Sequence, residues 1–349
     1  MASKSLLEQA QEFGQSVISR SPVIILGSGA SAAHGIPGME LLGRALNALV
    51  LPDEWNPEEA LGWANFRALL EAKTDLESAL GAVRLTDRQT AFVTGATRNF
   101  ILPSDLNAFN QLLQNQRVFP LTRLYRNLFS STHTTINVVT TNYDRLAEYA
   151  ADASGYSHFT GFGYGHMQTR AKDSNTRIYV NDIRSRTVCV WKVHGSLDWF
   201  RSAGQKVVAA HSCHATPDGY TPLMVTPGID KYRLTHMDPF RSIVQCADDA
   251  LESARSYVCI GYGFNDSHIQ EKLIQRCDAD SVPIVIVTKD LTETTKSFLR
   301  SGRCRKYLAI EKFKDGTCLY TNANPEGFCV ENASFWQIGE FLNFTIGAE

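Results

Sequence analysis

The feature that most constrains the fold is the stretch VIILGSGASAAHGIP, from Val23 to Pro37. Its first four residues are apolar and mostly β-branched, too short a run for a helix, and predict a buried parallel strand. Gly27 and Gly29 then allow the backbone to approach a ligand, and free N–H groups at the start of the next helix attract an anion. The stretch therefore predicts either a pyrophosphate site or an ordinary tight turn.

The spacing Gly27-x-Gly29-x-x-Ala32 fits a loose dinucleotide-binding pattern. A dehydrogenase would also need an acidic residue about 20 positions further on, at the end of a second strand. The nearest acidic candidate, Asp53, lies in the turn sequence LPDEW, so the pattern does not favour hydride transfer. Gly35–Gly38 interrupts the helix and predicts a flexible loop over the phosphate position.

Composition limits the classes of protein that the chain can belong to. Its 349 residues, 44% hydrophobic and 20% charged, are ordinary for a soluble globular protein. The net charge of −2 gives no sign of the basic face that nucleic-acid binding requires. The eight cysteines show no framework spacing, and neither a signal core nor a run of about 20 apolar residues occurs. We expect a cytoplasmic protein that binds neither membrane nor nucleic acid.

Further apolar runs predict the other strands, which are Ile136–Thr141, Val188–Val193, Leu223–Thr226, Tyr257–Ile260 and Pro283–Val287. Their alternation with helices predicts an α/β fold with a Rossmann-like doubly wound parallel sheet. Residues 39–130 are helical in pattern almost throughout, with a capping box at Thr74–Glu77, and predict an inserted helical subdomain.

The two ends of the chain predict additional elements. Residues 3–19 form an amphipathic pattern, typical of a helix that packs on its own sheet or docks on a neighbour. Residues 300–349 form a C-terminal extension, in which 306–312 predict a strand and 332–341 a terminal helix.

Glycine and polar residues concentrate where the predicted strands end. In doubly wound sheets, ligands bind beyond the carboxyl ends of the strands. One pocket would collect these groups, which are Gly27-Ser28-Gly29, Thr141-Asn142, Asp144, His194-Gly195 and Gly261–Asp266. His194 is either a structural histidine or a general base at this edge. Asn142 and Asp144 could each cap the following helix, and the one that does not would be free to bind a ribose or water.

Four blocks in this order resemble the signature of the sirtuin-like family. They are GSGAS at 27–31 with GIP at 35–37, TTNYD at 140–144, HGS at 194–196 and GYGFND at 261–266. They are most similar to divergent bacterial members that act as NAD+ hydrolases in antiphage defence. The resemblance spans about residues 20–290 and implies a single sirtuin-like domain over 1–349.

The resemblance also implies roles for individual residues. Gly27, Ser28, Gly29, Ala30 and Ser31 would hold the pyrophosphate of NAD+, and Gly35, Ile36 and Pro37 would belong to a mobile loop. Asn142 would orient water or ribose at the nicotinamide end, His194 would be the catalytic histidine, and Asp144 would lie near the nicotinamide pocket. Thr141 would also bind NAD+. The residues expected along the adenosine are Gly261, Tyr262, Gly263, Asn265, Asp266 and, near the adenine, Thr288.

The departures from the family pattern argue against protein deacylation. Met39-Glu40 stand near the place of the phenylalanine-arginine pair of the deacylases. Between His194 and Gly261 the only cysteines are Cys213, Cys246 and Cys259, and none forms a CxxC pair. His211, Cys213 and His214 lie close together but lack a fourth ligand, which favours a surface loop over a zinc site. We expect no metal.

The sequence therefore predicts an NAD+ glycohydrolase that depletes NAD+ in bacterial antiphage defence by abortive infection, with NAD+ as its substrate. The alternatives are a non-catalytic NAD- or ADP-ribose-binding regulatory module and, less favoured, a protein deacylase or ADP-ribosyltransferase. The resemblance also suggests a homo-oligomer, or control by a HerA-type ATPase or another separate sensor protein.

Overall fold

The computed structural model of the protein describes residues 4–52, 54–114, 119–171, 177–226 and 237–348. The strands are β1 (Val23–Leu26), β2 (Thr135–Thr140), β3 (Ser157–Phe159), β4 (Gln168–Thr169), β5 (Tyr179–Val180), β6 (Ile183–Arg184), β7 (Thr187–Lys192), β8 (Gly195–Ser202), β9 (Val207–Ala209), β10 (Tyr220–Met224), β11 (Tyr257–Ile260), β12 (Ile284–Val287), β13 (Tyr307–Phe313), β14 (Gly316–Thr321) and β15 (Asn324–Glu331).

The helices surround these strands. They are α1 (Leu6–Ile18), α2 (Ser28–Ala32), α3 (Met39–Asn47), α4 (Pro57–Glu71), α5 (Leu76–Ala82), α6 (Asp87–Gln114), α7 (Pro120–Phe129), α8 (Leu146–Ala153), α9 (Phe240–Ser253), α10 (Ser267–Ala279), α11 (Glu293–Arg300) and α12 (Ile338–Ile346). No helix in the described part of the chain is long and apolar enough to cross a membrane.

A nine-stranded sheet organises the molecule, in the order β15-β14-β13-β12-β11-β1-β2-β7-β3. The strands from β13 to β3 pair in parallel, and the β14–β15 hairpin adds an antiparallel edge. Ile25 of β1 lies opposite Cys259 on one side and Val139 on the other. Because β1 separates β2 from β11, the loop after β1 lies where the strand order reverses.

Both faces of the sheet are covered, as the sequence predicts for a doubly wound fold. Successive β1 residues alternate between two cores: Ile24 and Leu26 pack with α1, α7, α8 and α12, whereas Val23 and Ile25 pack with α9, α10 and α11. The parallel strands are buried on both faces, which is why their sequences are continuous apolar runs.

The predicted helical region between the first two strands is confirmed as α3 to α7. Helices α3, α4 and α5, together with the first part of α6, enclose a core around Trp63 and Phe66, whereas the rest of α6 and α7 pack on the main core. The predicted capping box at Thr74–Glu77 is wrong. Asp75 caps α5 instead, because its carboxylate accepts the Ser78 N–H at 2.9 Å.

One predicted strand belongs to a different sheet. The run Leu223–Thr226 falls in and after β10, which pairs with β8 in an antiparallel sheet of order β10-β8-β9-β4. The apolar runs did not predict β8, the partner of β10. A short apolar run does not reveal whether its partner is parallel or antiparallel.

The C-terminal extension differs from its prediction in two details. The predicted strand over 306–312 is confirmed as β13, but the terminal helix begins at Ile338 rather than near residue 332. Asn332 has a left-handed backbone (φ 55°), and the residues after it form a turn. Cys318 and Cys329 lie opposite each other on β14 and β15 and form a disulfide that their spacing did not predict.

Candidate functional site

A pocket opens at the carboxyl ends of β1, β2, β7 and β11. It holds about 970 Å³ of empty space, a volume that includes the open solvent at its mouth. The predicted site residues that line it are Gly27, Ser28, Ser31, Ile36, Pro37, Thr141, Asn142, Asp144, His194, Tyr262, Gly263, Asn265 and Asp266. The fold therefore brings together most residues of the four sequence blocks.

The other predicted residues do not line this pocket. They are Gly29, Ala30, Gly35, Gly261 and Thr288. Ala30 instead lines a smaller neighbouring cavity behind Asn142 and Asp144. The Thr288 hydroxyl, after β12, donates to the carbonyl of Asp290 at 3.2 Å.

The glycines after β1 and β11 allow two loops to pack against each other. The N–H of Gly29 donates to the carbonyl of Gly261 at 3.0 Å. A Cβ on Gly27 would lie 2.4 Å from that carbonyl oxygen, and one on Gly261 would lie 2.2 Å from the Ala30 nitrogen. Gly261 also has a left-handed backbone, with φ of 56°. Loop packing alone requires small residues here, whether or not a ligand also approaches.

Asn142 follows β2 and links it to the loop after β1. Its amide nitrogen donates to the carbonyl of Gly27 and to the hydroxyl of Ser31, both at 2.9 Å. The two N–H groups of the amide are therefore used within the protein. The remaining polar atom, Oδ1, is an acceptor that suits a hydroxyl, a water molecule or a developing positive charge.

Asp144 places a carboxylate in the pocket wall with only 7% of its surface exposed. Burial raises its pKa to about 6, although the charge of Lys192 and the hydroxyl of Ser31 oppose that shift. Its Oδ1 accepts the Leu146 N–H at 3.2 Å, so Asp144 also supports the start of α8. Lys192, fully buried, donates to the Asp144 carbonyl and lies 3.1 Å from Glu148.

His194 follows β7 and enters the pocket beside a carboxylate. Its Nε2 lies 3.0 Å from Oδ2 of Asp266, and both side chains are nearly buried. Its carbonyl accepts the N–H of Val225, which holds the backbone in place. The contact with Asp266 therefore orients the imidazole ring at the pocket wall.

The inserted helices supply pocket residues that sequence reasoning missed. Met39 and Leu42 come from the start of α3, Glu77 from α5 and Ile101 from α6. Tyr143, between Asn142 and Asp144, also lines the pocket. Glu77 raises the pKa of the Tyr143 hydroxyl, after the larger effect of burial. Only Tyr143 lies in a sequence block, and nothing in the pattern of the insertion points to the others.

A buried ion pair connects the insertion to the segment that carries Asn142 and Asp144. Asp105 of α6 is fully buried and accepts the Arg145 backbone N–H at 2.7 Å and its Nε–H at 3.0 Å. The Tyr149 hydroxyl donates to the same carboxylate at 2.7 Å. Because Arg145 directly follows Asp144, α6 fixes the segment that forms one wall of the pocket.

The sequence left a zinc site or a surface loop open at His211, Cys213 and His214. In the structure His211 Nδ1 contacts Asp198 on β8, and the Cys213 carbonyl accepts a hydrogen bond from Arg98. Within the described ranges, no group of three or more His, Cys, Asp or Glu side chains is arranged to hold a metal ion.

Part of the chain matches the model of a known protein family. Residues 136–302 match the model of a family described as SIR2-like domain, a segment that includes Asn142, Asp144, His194 and Asp266. No curated protein matches the chain.

Solved structures of Sir2 proteins resemble the chain at low identity. A Sir2 homologue in complex with NAD is 15% identical, with a TM-score of 0.41 over 88% of this chain and 89% of its own. A Sir2 homologue mutant in complex with ADP-ribose is 15% identical, with a TM-score of 0.39 over 82% and 87%. Sir2Tm bound to a propionylated peptide is 12% identical, with a TM-score of 0.38 over 83% and 89%.

Proposed function

We propose that this protein is an NAD+ glycohydrolase that cleaves NAD+ to nicotinamide and ADP-ribose. The observation that carries the proposal is the convergence of Asn142, Asp144 and His194 in one pocket beside the glycine loop of β1. The SIR2-like match over residues 136–302 and the four sequence blocks support the same substrate.

The chemical groups of the pocket fit the bond that must break. When the bond between C1′ of the ribose and the pyridinium nitrogen breaks, its electron pair moves to the nitrogen and nicotinamide leaves neutral. Positive charge then develops on the ribose, as in the oxocarbenium-like transition state of glycoside hydrolysis. The acceptor Oδ1 of Asn142 and the carboxylate of Asp144 would stabilise that charge.

His194 completes the reaction as a general base. Water adds to C1′ and must lose a proton, so the products are nicotinamide, ADP-ribose and one proton. His194 would accept that proton, or one from a ribose hydroxyl, while Asn142 orients the attacking group. A positioned general base typically contributes about 10²–10⁴-fold to a rate.

The first prediction tests this assignment directly. Purified protein, with any partner present, should release nicotinamide from NAD+, and His194→Ala should lower kcat by about 10²-fold or more. Asn142→Ala should lower it similarly and also destabilise the fold by about 1–2 kcal/mol, because it removes two hydrogen bonds. Chromatographic product analysis measures the activity, and Asp248→Asn, outside the pocket, is the control. Hydrolysis at the wild-type rate in both pocket variants would refute the assignment.

Two alternatives make different predictions in the same assay. A regulatory module would bind NAD+ in a calorimeter without releasing nicotinamide. A deacylase or ADP-ribosyltransferase would need a protein acceptor. We favour hydrolysis over deacylation because the cysteines between His194 and Gly261 lie on separate elements: Cys213 in a loop, Cys246 on α9 and Cys259 in β11.

The biological setting that we propose rests on the resemblance alone. NAD+ depletion in the bacterial cytoplasm would serve antiphage defence, with activity restrained until the chain assembles with itself or with a HerA-type ATPase or other sensor. Light scattering combined with the hydrolysis assay tests this. A strict monomer that is fully active without a partner would exclude control by assembly.

A further inference from the structure

We infer that Asp266 is a positioning residue that holds His194 and stabilises its protonated form. The inference deepens the proposed function, because the catalytic role of His194 belongs to that proposal. It goes beyond the resemblance, which implies a contact of Asp266 with the adenosine.

The contact joins two segments that are distant in sequence. His194 follows β7, and Asp266 lies in the loop between β11 and α10. His194 Nε2 and Asp266 Oδ2 are 3.0 Å apart, with 13% and 11% of the side chains exposed. Solvent screens an interaction at this depth much less than one on the surface.

The rest of the structure fixes Asp266. It is the N-cap of α10, where its Oδ1 accepts the N–H of Ile269 at 3.1 Å. Helix α10 is anchored through Ile269, Leu273 and Cys277, which are at most 1% exposed. One carboxylate oxygen therefore belongs to the helix end, while the other faces the imidazole.

A carboxylate in this position lowers the energy of the imidazolium that forms when His194 takes a proton. The other titratable groups that line the pocket are Glu77, Tyr143, Asp144 and Tyr262. Among the described residues, only Asp266 has a carboxylate within ion-pair distance of the His194 ring. It is therefore the group that can orient the ring and balance its charge during the reaction.

Asp266→Asn separates this role from a structural one. Asparagine is as good an N-cap as aspartate, so the thermal unfolding midpoint should not change. We expect kcat to fall at least about tenfold while KM stays within about threefold, the pattern of an interaction that acts in the transition state. In the His194→Ala background the same substitution should lower kcat by less than about a further twofold, because the two residues act as a unit.

The matched control is Asp248→Asn, which removes a similar contact on the same helix. Asp248 lies 2.9 Å from His268 of α10, and neither residue lines the pocket. This variant should hydrolyse NAD+ at the wild-type rate. If Asp266→Asn raises KM and leaves kcat unchanged, the inference is overturned and a substrate contact is favoured. A full additional loss of kcat in the His194→Ala background would also overturn it.

A spectroscopic readout tests the contact independently of the proposed function. The ring ¹⁵N resonances of His194 should move in Asp266→Asn and those of His268 should not, with the reverse in Asp248→Asn. If the wild-type protein fails to cleave NAD+ with every candidate partner present, the proposed function fails and these resonances still test the pair. Unchanged His194 resonances in Asp266→Asn would overturn the positioning role.

Discussion

At the scale of single residues, Asp144 lowers the stability of the fold but supplies an ionised carboxylate to the pocket. Its carboxylate is nearly buried, and burial raises its pKa from 3.8 to about 6. Because the unfolded chain ionises at lower pH than the folded protein, Asp144 destabilises the fold increasingly as pH rises from about 4 to about 6. Above that range the cost is constant, and the carboxylate is available to the substrate.

Replacing Asp144 with Asn should therefore stabilise the protein and inactivate it. We expect the free energy of unfolding near neutral pH to rise by about 1–3 kcal/mol, from a pKa shift of about two units. The gain should shrink as pH is lowered toward about 4, where the wild-type carboxyl is protonated. Urea denaturation at several pH values measures it. A destabilised Asp144→Asn at neutral pH would contradict this account, as would full activity.

Some residues of the site could be predicted from the sequence, and others could not. The order of the blocks was sufficient to predict that Asn142, Asp144 and His194 converge, since parallel strands end at one edge of the sheet. The contact between Asp266 and His194 could not be predicted, because it depends on the lengths and paths of two separate loops. Glu77 was missed for the same reason: its approach depends on how the insertion folds back.

At the scale of secondary-structure elements, the buried pair Asp105–Arg145 makes α6 part of the site. Arg145 receives its charge partner from the insertion, and its own backbone N–H is held by the same carboxylate. Removing one partner of such a pair leaves an uncompensated charge in the interior. The insertion therefore supports the pocket wall, in addition to supplying lining residues.

Asp105→Asn tests this coupling. The free energy of unfolding should fall by about 3–5 kcal/mol, because Arg145 stays buried without its counter-charge. NAD+ hydrolysis at a temperature where the variant is still folded should also fall, since Arg145 adjoins Asp144. The matched control is Glu54→Gln, which breaks the exposed pair with Arg88 of the same helix and should cost less than about 1 kcal/mol. Equal effects of the two substitutions would exclude the role of Asp105.

The elements themselves were predicted unevenly. The apolar runs at β1, β2, β7, β11 and β12 were recognisable because strands buried on both faces have continuous apolar sequences. The run at β10 was assigned to the wrong sheet, and β8 was not predicted, because antiparallel partners are chosen by contacts far apart in the chain. The proposed boundaries at 39–130 and 300–349 stay predictions.

At the scale of the whole molecule, the pocket lies between the strand-order reversal of the sheet and the inserted helices. The sheet contributes the glycine loop, Asn142, Asp144 and His194, while the insertion contributes Glu77 and apolar groups. Among the described residues, the lining contains three carboxylates, Glu77, Asp144 and Asp266, and neither lysine nor arginine. This charge distribution favours the binding of a ligand with a cationic ring over one with a neutral ring.

The pocket should therefore distinguish NAD+ from NADH, which differ in the charge of the nicotinamide ring. In His194→Ala, which should hydrolyse NAD+ only slowly, NAD+ at about 100 times its dissociation constant should stabilise the fold by about 2.7 kcal/mol. NADH should bind at least about fivefold more weakly, because it lacks the positive charge that the carboxylates attract. Calorimetry and thermal unfolding measure both effects.

Glu77→Gln separates the contribution of the insertion from that of the sheet. Glu77 comes from α5, outside the four sequence blocks. Replacing its carboxylate with a neutral amide should narrow the difference in affinity between NAD+ and NADH, and the glycine loop should stay unchanged. Glu54 has an exposed carboxylate in the same insertion, and Glu54→Gln should leave the difference in affinity unchanged. Equal affinities for NAD+ and NADH in the parent variant would mean that the carboxylates do not face the ring. The ligand would then have to enter the pocket in another orientation.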